Sequence, residues 1–193
     1  MTNPPLPITI VSGVPRSGTS LAMQMLVAGG LEALTDGQRQ ADEDNPRGYF
    51  EFEAIKQLRT DKSWLTQAEG RVVKVIHLLL RELPTDRPYR VVFMQRDLRE
   101  VVRSQAAMLA RSGRAGGALP PERLMAVFQQ QVADARRWLA AHACFTTLEV
   151  PHAGLLADPA VWAQRLNEFL GGGLDTQAMA RVVEPSLYRN RVA

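Results

Sequence analysis

The chain has 193 residues, 46% hydrophobic and 22% charged, an ordinary globular composition long enough to bury a substantial core as one domain over residues 1–193. Its formal net charge is +3, with no long basic stripe, no interleaved aromatic platform and no Cys/His set at zinc spacing, which speaks against nucleic-acid binding and structural zinc. The single cysteine, Cys144, excludes an internal disulfide and reads as a buried thiol, and the longest apolar stretch, 72–80, is interrupted by Lys74 and His77 and falls well short of the roughly 20 residues of a membrane span.

The first predicted element is a strand over 8–12, Ile8-Thr9-Ile10-Val11-Ser12. It runs into Gly13-Val14-Pro15-Arg16-Ser17-Gly18, after which an amphipathic helix is expected over 19–28. Glycines at both ends let such a loop curl around an anion, and the first-turn amides of the helix, with the Thr19 and Ser20 hydroxyls, meet it at the positive end of the helix dipole. The loop departs from the nucleotide-hydrolase pattern G-x-x-x-x-G-K-[ST]. No lysine follows Gly18, and the cation is Arg16, two residues before it. A nucleoside triphosphate tail is therefore not the expected anion.

A polar, irregular stretch over 29–50 follows, with the charge run Asp42-Glu43-Asp44 read as solvated surface, and it ends in the turn Asn45-Pro46-Arg47-Gly48-Tyr49-Phe50-Glu51. The pattern then predicts a helix over 53–68, a strand over 71–76 carrying Lys74, a short helical or loop segment over 78–85 and a strand over 90–95. Asp97 caps a helix over 98–111, a glycine-rich loop spans 112–120, and Pro121 starts a long helix to about His142. A strand over 145–150, a helix over 159–170 closed by Gly171-Gly172-Gly173 and a last helix over 176–183 complete the chain. This alternation is the signature of an α/β fold, a parallel sheet with helices on both faces. In such a sheet the strand ending at Arg96 delivers that residue to the same edge as the Gly13–Gly18 loop, and Ser104, eight positions on, lies about two helical turns further along. The Ser104 hydroxyl and the Arg96 guanidinium are expected to share one anion.

Gly13-Val14-Pro15-Arg16-Ser17-Gly18-Thr19-Ser20 resembles the 5′-phosphosulfate loop of sulfotransferases that use 3′-phosphoadenosine 5′-phosphosulfate (PAPS), particularly the tyrosylprotein-type and related bacterial families. Arg96 and Ser104 are similar to the 3′-phosphate motif of the same family in residue type and spacing, and Leu155-Leu156-Ala157-Asp158-Pro159 with Phe169-Leu170-Gly171 resembles its scaffold. The resemblance implies a P-loop NTPase-like three-layer α/β/α domain that takes PAPS as sulfuryl donor, needs no metal and transfers the group to a hydroxyl or amine whose identity the sequence does not name. It implies donor contacts from Gly13, Pro15, Arg16, Ser17, Gly18, Thr19, Ser20, Arg96 and Ser104. Arg189 or Arg191 completes the 3′-phosphate site in this reading, the alternative being a frayed tail.

Within the resemblance Arg16 stabilises charge on the leaving phosphate, and Lys74 is similar to the family lysine that contacts the transferring group. The alternative for Lys74 is a side chain snorkelling at a sheet edge. Two residues compete for the general base. His77 closes Lys74-Val75-Ile76-His77, one residue longer than the Lys-x-His of cytosolic members, whereas tyrosylprotein-type enzymes use a glutamate after the first helix. Among Glu32, Asp42, Glu43, Asp44 and Glu51, the last is favoured because Tyr49 and Phe50 can dock over the cleft and desolvate it, the alternative being a charge at the start of the next helix. The N-terminus lacks a charged leader and an apolar h-region, so a cytoplasmic protein is expected, and a monomer or homodimer is the expected assembly. A P-loop kinase or NTPase, and a non-catalytic module that binds 3′-phosphoadenosine 5′-phosphate, are the rival readings.

Overall fold

Four short, β-branched runs form the strands β1 (Ile8–Ser12), β2 (Val72–Lys74), β3 (Tyr89–Gln95) and β4 (Phe145–Pro151) of the computed structural model, which describes residues 5–38, 41, 42, 45, 48–111 and 119–184. Every pairing among them is parallel, in the order β2-β1-β3-β4, with Val11 opposite both Lys74 and Val92. Residue period within the strands assigns the two faces. Ile8, Ile10, Val73, Tyr89, Val91 and Phe93 point to one core, while Val11, Val72, Val92 and Met94 point to the other. Both faces are thus covered, as parallel crossovers require.

The second of these cores is closed by α1 (Thr19–Ala28), α5 (Pro159–Phe169) and α6 (Thr176–Arg181), through Ala22, Met23, Met25, Leu26, Trp162, Leu166 and Met179. On the first face lie α3 (Pro121–Ala141), which contributes Ala135 and Leu139, and three short 3-10 turns. The helix α2 (Leu98–Arg111) leaves β3 and packs on α3 through Val101, Val102 and Phe128, with Val14 of the loop after β1 in the same cluster. The molecule is a three-layer α/β/α structure with a central parallel sheet. Among the described residues no helix is long and apolar enough to cross a membrane.

Three expectations from the sequence need correction. The helix over 53–68 is instead two 3-10 turns, Glu53–Gln57 and Ser63–Thr66. Asp61 accepts the Ser63 amide at 2.8 Å, a local bond that competes with the helical ladder, and the buried pairs Ile55/Leu58 and Leu65/Ala68 recur at the three-residue spacing of a 3-10 turn. The short helix α4 (His152–Ala157) went unpredicted because Gly154 lowers helix propensity, yet a Cβ there would stand 2.9 Å from Trp162 Nε1. Cys144 is only partly buried, and desolvation pushes its thiol up, away from nucleophilic character. Most of the predicted 112–120 loop, the Asn45–Glu51 turn at Pro46 and Arg47, and the acids Glu43 and Asp44 lie outside the described residues.

Ile10 is wholly buried in β1, which has a partner strand on each side. Ile10→Ala is expected to cost about 2–5 kcal/mol and Ile10→Val about 0.5–1.5 kcal/mol. Urea unfolding with an unchanged m-value checks this, and an equal cost for the two variants would contradict the packing described.

Candidate active site

The loop leaving β1 turns where two residues have no room for a side chain. Gly13 has φ 152° and Gly18 φ 100°; a Cβ on Gly13 would stand 2.4 Å from Ser17 Oγ and 2.9 Å from the Met94 carbonyl oxygen, and one on Gly18 would stand 2.5 Å from Cδ2 of His152. Between them Arg16 is left-handed, φ 67°, at a cost of about 1–2 kcal/mol for a residue with a Cβ. The turn closes on a hydrogen bond from the Ser17 amide to the Val14 carbonyl at 3.2 Å. At Gly18 the chain enters α1 with no side-chain cap and no acid in the first turn, so the positive end of the helix meets no anionic side chain of its own.

A cavity of about 520 Å³ opens beside this loop at the carboxyl ends of the strands. Gly13, Pro15, Arg16, Gly18, Thr19 and Ser20 border it on one side, and Glu51, Lys74, Arg96 and Ser104 complete the predicted residues on its wall. Ser17 does not reach it. Its side chain is fully buried toward Gly13 and its amide serves Val14. Arg189 and Arg191 lie outside the described residues.

Of the cations lining the cavity, Lys74, Arg16 and Arg96 are held in different ways. Lys74 ends β2 and donates from Nζ to Ser20 Oγ at 2.9 Å and to the Tyr49 carbonyl at 2.6 Å, so its ammonium joins the first turn of α1 to the 48–51 segment instead of snorkelling outward. Arg16 crosses to α2, with Nε donating to Ser104 Oγ at 3.1 Å and Nη1 lying 4.0 Å from Met108 Sδ. Ser104 Oγ accepts from Arg16, and Arg96 pairs through Nε with Glu100 Oε2 at 3.0 Å and through Nη1 with the Arg16 carbonyl at 3.0 Å. Arg96 directly follows β3, and Glu100 stands four residues on in the first turn of α2.

The two base candidates have different surroundings. Glu51 borders the cavity, half-buried, after Phe50 at φ 53°. The alternative of a helix-start charge is served by another residue, since the Glu53 amide donates to Asp36 Oδ2 at 2.5 Å. His77 is buried off the cavity wall, its Nδ1 3.1 Å from the Gly13 carbonyl and its Nε2 2.9 Å from the Gln131 side chain. Burial lowers its pKa, the two hydrogen bonds opposing, so the neutral ring is favoured as a strut between the loop and α3. Of the other acids, Asp42 accepts from the buried Tyr49 hydroxyl at 2.7 Å, and Glu32 pairs with Arg71 at 3.1 Å.

His152 and Glu100 carried no signal that the sequence reading used. His152 stands just past β4, at the edge where parallel sheets place ligands, and Glu100 stands four residues after Arg96; both positions could have been flagged from those rules. His152 is buried beneath Gly18, and its pKa is pushed down to about 4, first by desolvation and then by the Arg96 charge, with Glu100 opposing.

No protein-family model matches the chain, and no curated protein matches it by sequence. Among solved structures it is similar to the sulfotransferase domain from the curacin biosynthetic pathway, at TM-score 0.55 and 12% identity over 98% of this chain and 93% of that one. It is likewise similar to a sulfotransferase from Alicyclobacillus acidocaldarius, at TM-score 0.54 and 15% identity over 94% of this chain and 87% of that one. The chain therefore has the fold of sulfotransferases along nearly its full length. At these identities the likeness is one of fold.

The two buried histidines set a pH dependence. Unfolded, each takes up a proton near the ordinary value of 6.5, whereas folded His152 does so only near 4. The unfolded chain thus binds more protons between those values, and stability falls as pH drops through that window, by roughly 3 kcal/mol for His152 when the window is fully crossed. Urea midpoints at pH 7.5 and pH 5 should show the loss, and His152→Gln should flatten it; an unchanged slope in the variant would contradict the assignment.

Proposed function

We propose that the chain is a sulfotransferase that uses PAPS as its sulfuryl donor and a hydroxyl or amine as acceptor. The observation that carries this is the set of cations Arg16, Lys74 and Arg96 around a Gly13–Gly18 turn whose second glycine is not followed by the lysine of nucleotide hydrolases. The residues fit such a donor. The turn lies low on the strand ends because Gly13 and Gly18 carry no Cβ to hold it off Met94 and His152, the first turn of α1 presents amides without intrahelical partners, and the planar guanidinium forks suit oxyanions. When bound, PAPS supplies an activated sulfuryl group on a phosphate leaving group.

Arg16, the amides of Gly18 and Thr19 and the Thr19 and Ser20 hydroxyls would hold the 5′ end, and Arg96 with Ser104 the 3′-phosphate. Lys74, anchored on Ser20 and on the Tyr49 carbonyl, keeps an ammonium at the 5′ end without leaving the strand that carries it. Negative charge growing on the leaving group meets fixed donors there, which need no reorganisation as the charge develops. Glu51, on the same wall, takes the acceptor proton in this reading, and His77 supports the Gly13 end of the loop from behind. A single partly buried thiol is compatible with a reducing compartment, the cytoplasm.

Because a ligand that binds only the native state stabilises it, 3′-phosphoadenosine 5′-phosphate should raise the melting temperature without magnesium and by more than ATP with magnesium does. Equal or greater stabilisation by magnesium-ATP would replace this reading by a P-loop kinase or NTPase. With radiolabelled PAPS and a pool of sugars, phenols, lipids and peptides as acceptors, Glu51→Gln should lower turnover by about 100-fold or more at unchanged nucleotide affinity, and Arg16→Ala should lower turnover by about 100-fold or more through the lost charge stabilisation. His77→Asn should be mild by comparison. A silent His77→Asn beside an active Glu51→Gln would move the base to His77.

A further inference from the structure

Behind Arg96 sits a carboxylate that does not itself line the cavity. Glu100 has a side chain only 7% exposed and Arg96 one only 9% exposed, and their Nε–Oε2 contact is 3.0 Å. A buried ion pair is weak evidence of stability, because desolvation offsets most of the attraction and a well-packed apolar pair serves as well. The arrangement gains meaning from where the rest of the guanidinium goes. Its Nη1 donates to the carbonyl of Arg16, the one loop residue with a Cβ that is held left-handed.

The contacts form a chain: Glu100 on α2 sets the direction of Arg96 at the end of β3, and Arg96 pins the backbone at the apex of the loop after β1. A guanidinium has five donors in a fixed plane, so fixing Nε on Glu100 also fixes where the Nη groups point. The loop it pins closes on the Ser17 amide bond to Val14, and its Arg16 side chain returns to the same helix at Ser104, one turn beyond Glu100. A negative charge at Glu100 also offsets the mutual repulsion of the Arg16 and Arg96 guanidinium groups before any anion arrives.

We infer that Glu100 is a positioning residue: its carboxylate holds Arg96 on the Arg16 carbonyl and so maintains the left-handed turn of the Gly13–Gly18 loop, coupling the two anion-facing halves of the cavity. Its effect on nucleotide binding rests on the reading proposed above, whereas its effect on the loop does not.

Hydrogen exchange of the Ser17 amide in the unliganded protein, followed by NMR, tests the loop directly. Glu100→Gln keeps an acceptor oxygen but removes the charge, and should speed Ser17 exchange about tenfold or more while amides of β3 stay as protected as before. Glu100→Asp keeps the charge and should restore at least half of the lost protection. Unchanged Ser17 exchange in Glu100→Gln, or identical behaviour of the Asp and Gln variants, overturns the inference. If Glu100→Gln does not fold, the double variant Arg96→Met/Glu100→Met leaves no buried unpaired charge and should show the same loosening; wild-type protection there overturns it too. A calorimetric titration with 3′-phosphoadenosine 5′-phosphate adds a second readout, with Kd about tenfold higher in Glu100→Gln. Failure of the wild-type protein to bind that nucleotide would refute the proposed donor and leave the exchange measurement as the judge of Glu100.

Discussion

The carboxyl edge of the sheet depends on a close approach between backbone and two neighbouring elements. At Gly13 the loop passes so near the Met94 carbonyl of β3 that a methyl group would stand 2.9 Å from it, and at Gly18 it rests on the His152 ring at the end of β4. Backbone that lies this low on the sheet brings its amides, and the start of α1, within reach of an anion over the strand ends. The parallel register makes this possible. Since β1 runs parallel to β2 and β3, their carboxyl ends gather Lys74, Arg96 and the loop at one edge.

Concentrating positive groups there carries a cost that the surrounding residues offset one by one. Lys74 is solvated by a hydroxyl and a carbonyl, Arg16 by a hydroxyl, and Arg96 by a carboxylate and a carbonyl. His152, drawn into the same layer, responds in the opposite way: burial and the Arg96 charge keep it neutral. The result is an edge whose cations are directed by fixed polar contacts rather than left to water.

Direction of these groups is also what separates the candidate bases. His77 and Glu51 lie on either side of the same edge, but His77 is engaged at both ring nitrogens between Gly13 and Gln131, while Glu51 reaches the wall through a segment tied down by Tyr49, Thr35 and Asp36. The Lys74 contact with the Tyr49 carbonyl joins that segment to the strand edge.

The alternation of apolar runs with helical periods was enough to read the α/β class, the strands 8–12, 90–95 and 145–150 and the helices 19–28, 98–111 and 121–142, because period-2 and period-3.6 patterns are local properties. The Gly13–Ser20 motif was equally legible, since two glycines bracketing a cation state their own backbone requirement. Tertiary structure decided the rest. Which oxygen each guanidinium chose depended on side-chain reach across elements, so that Ser104 went to Arg16 and Arg96 to Glu100. His152 could be placed beneath Gly18 only by the register of β3 on β4. The 53–68 segment broke into 3-10 turns because its apolar residues had to meet a core on one side at three-residue spacing. Local pattern thus determined most of the elements and where the Gly13–Gly18 loop begins; the long-range contacts, set by sheet order and packing, decided which charges meet at that edge and which are withdrawn from it.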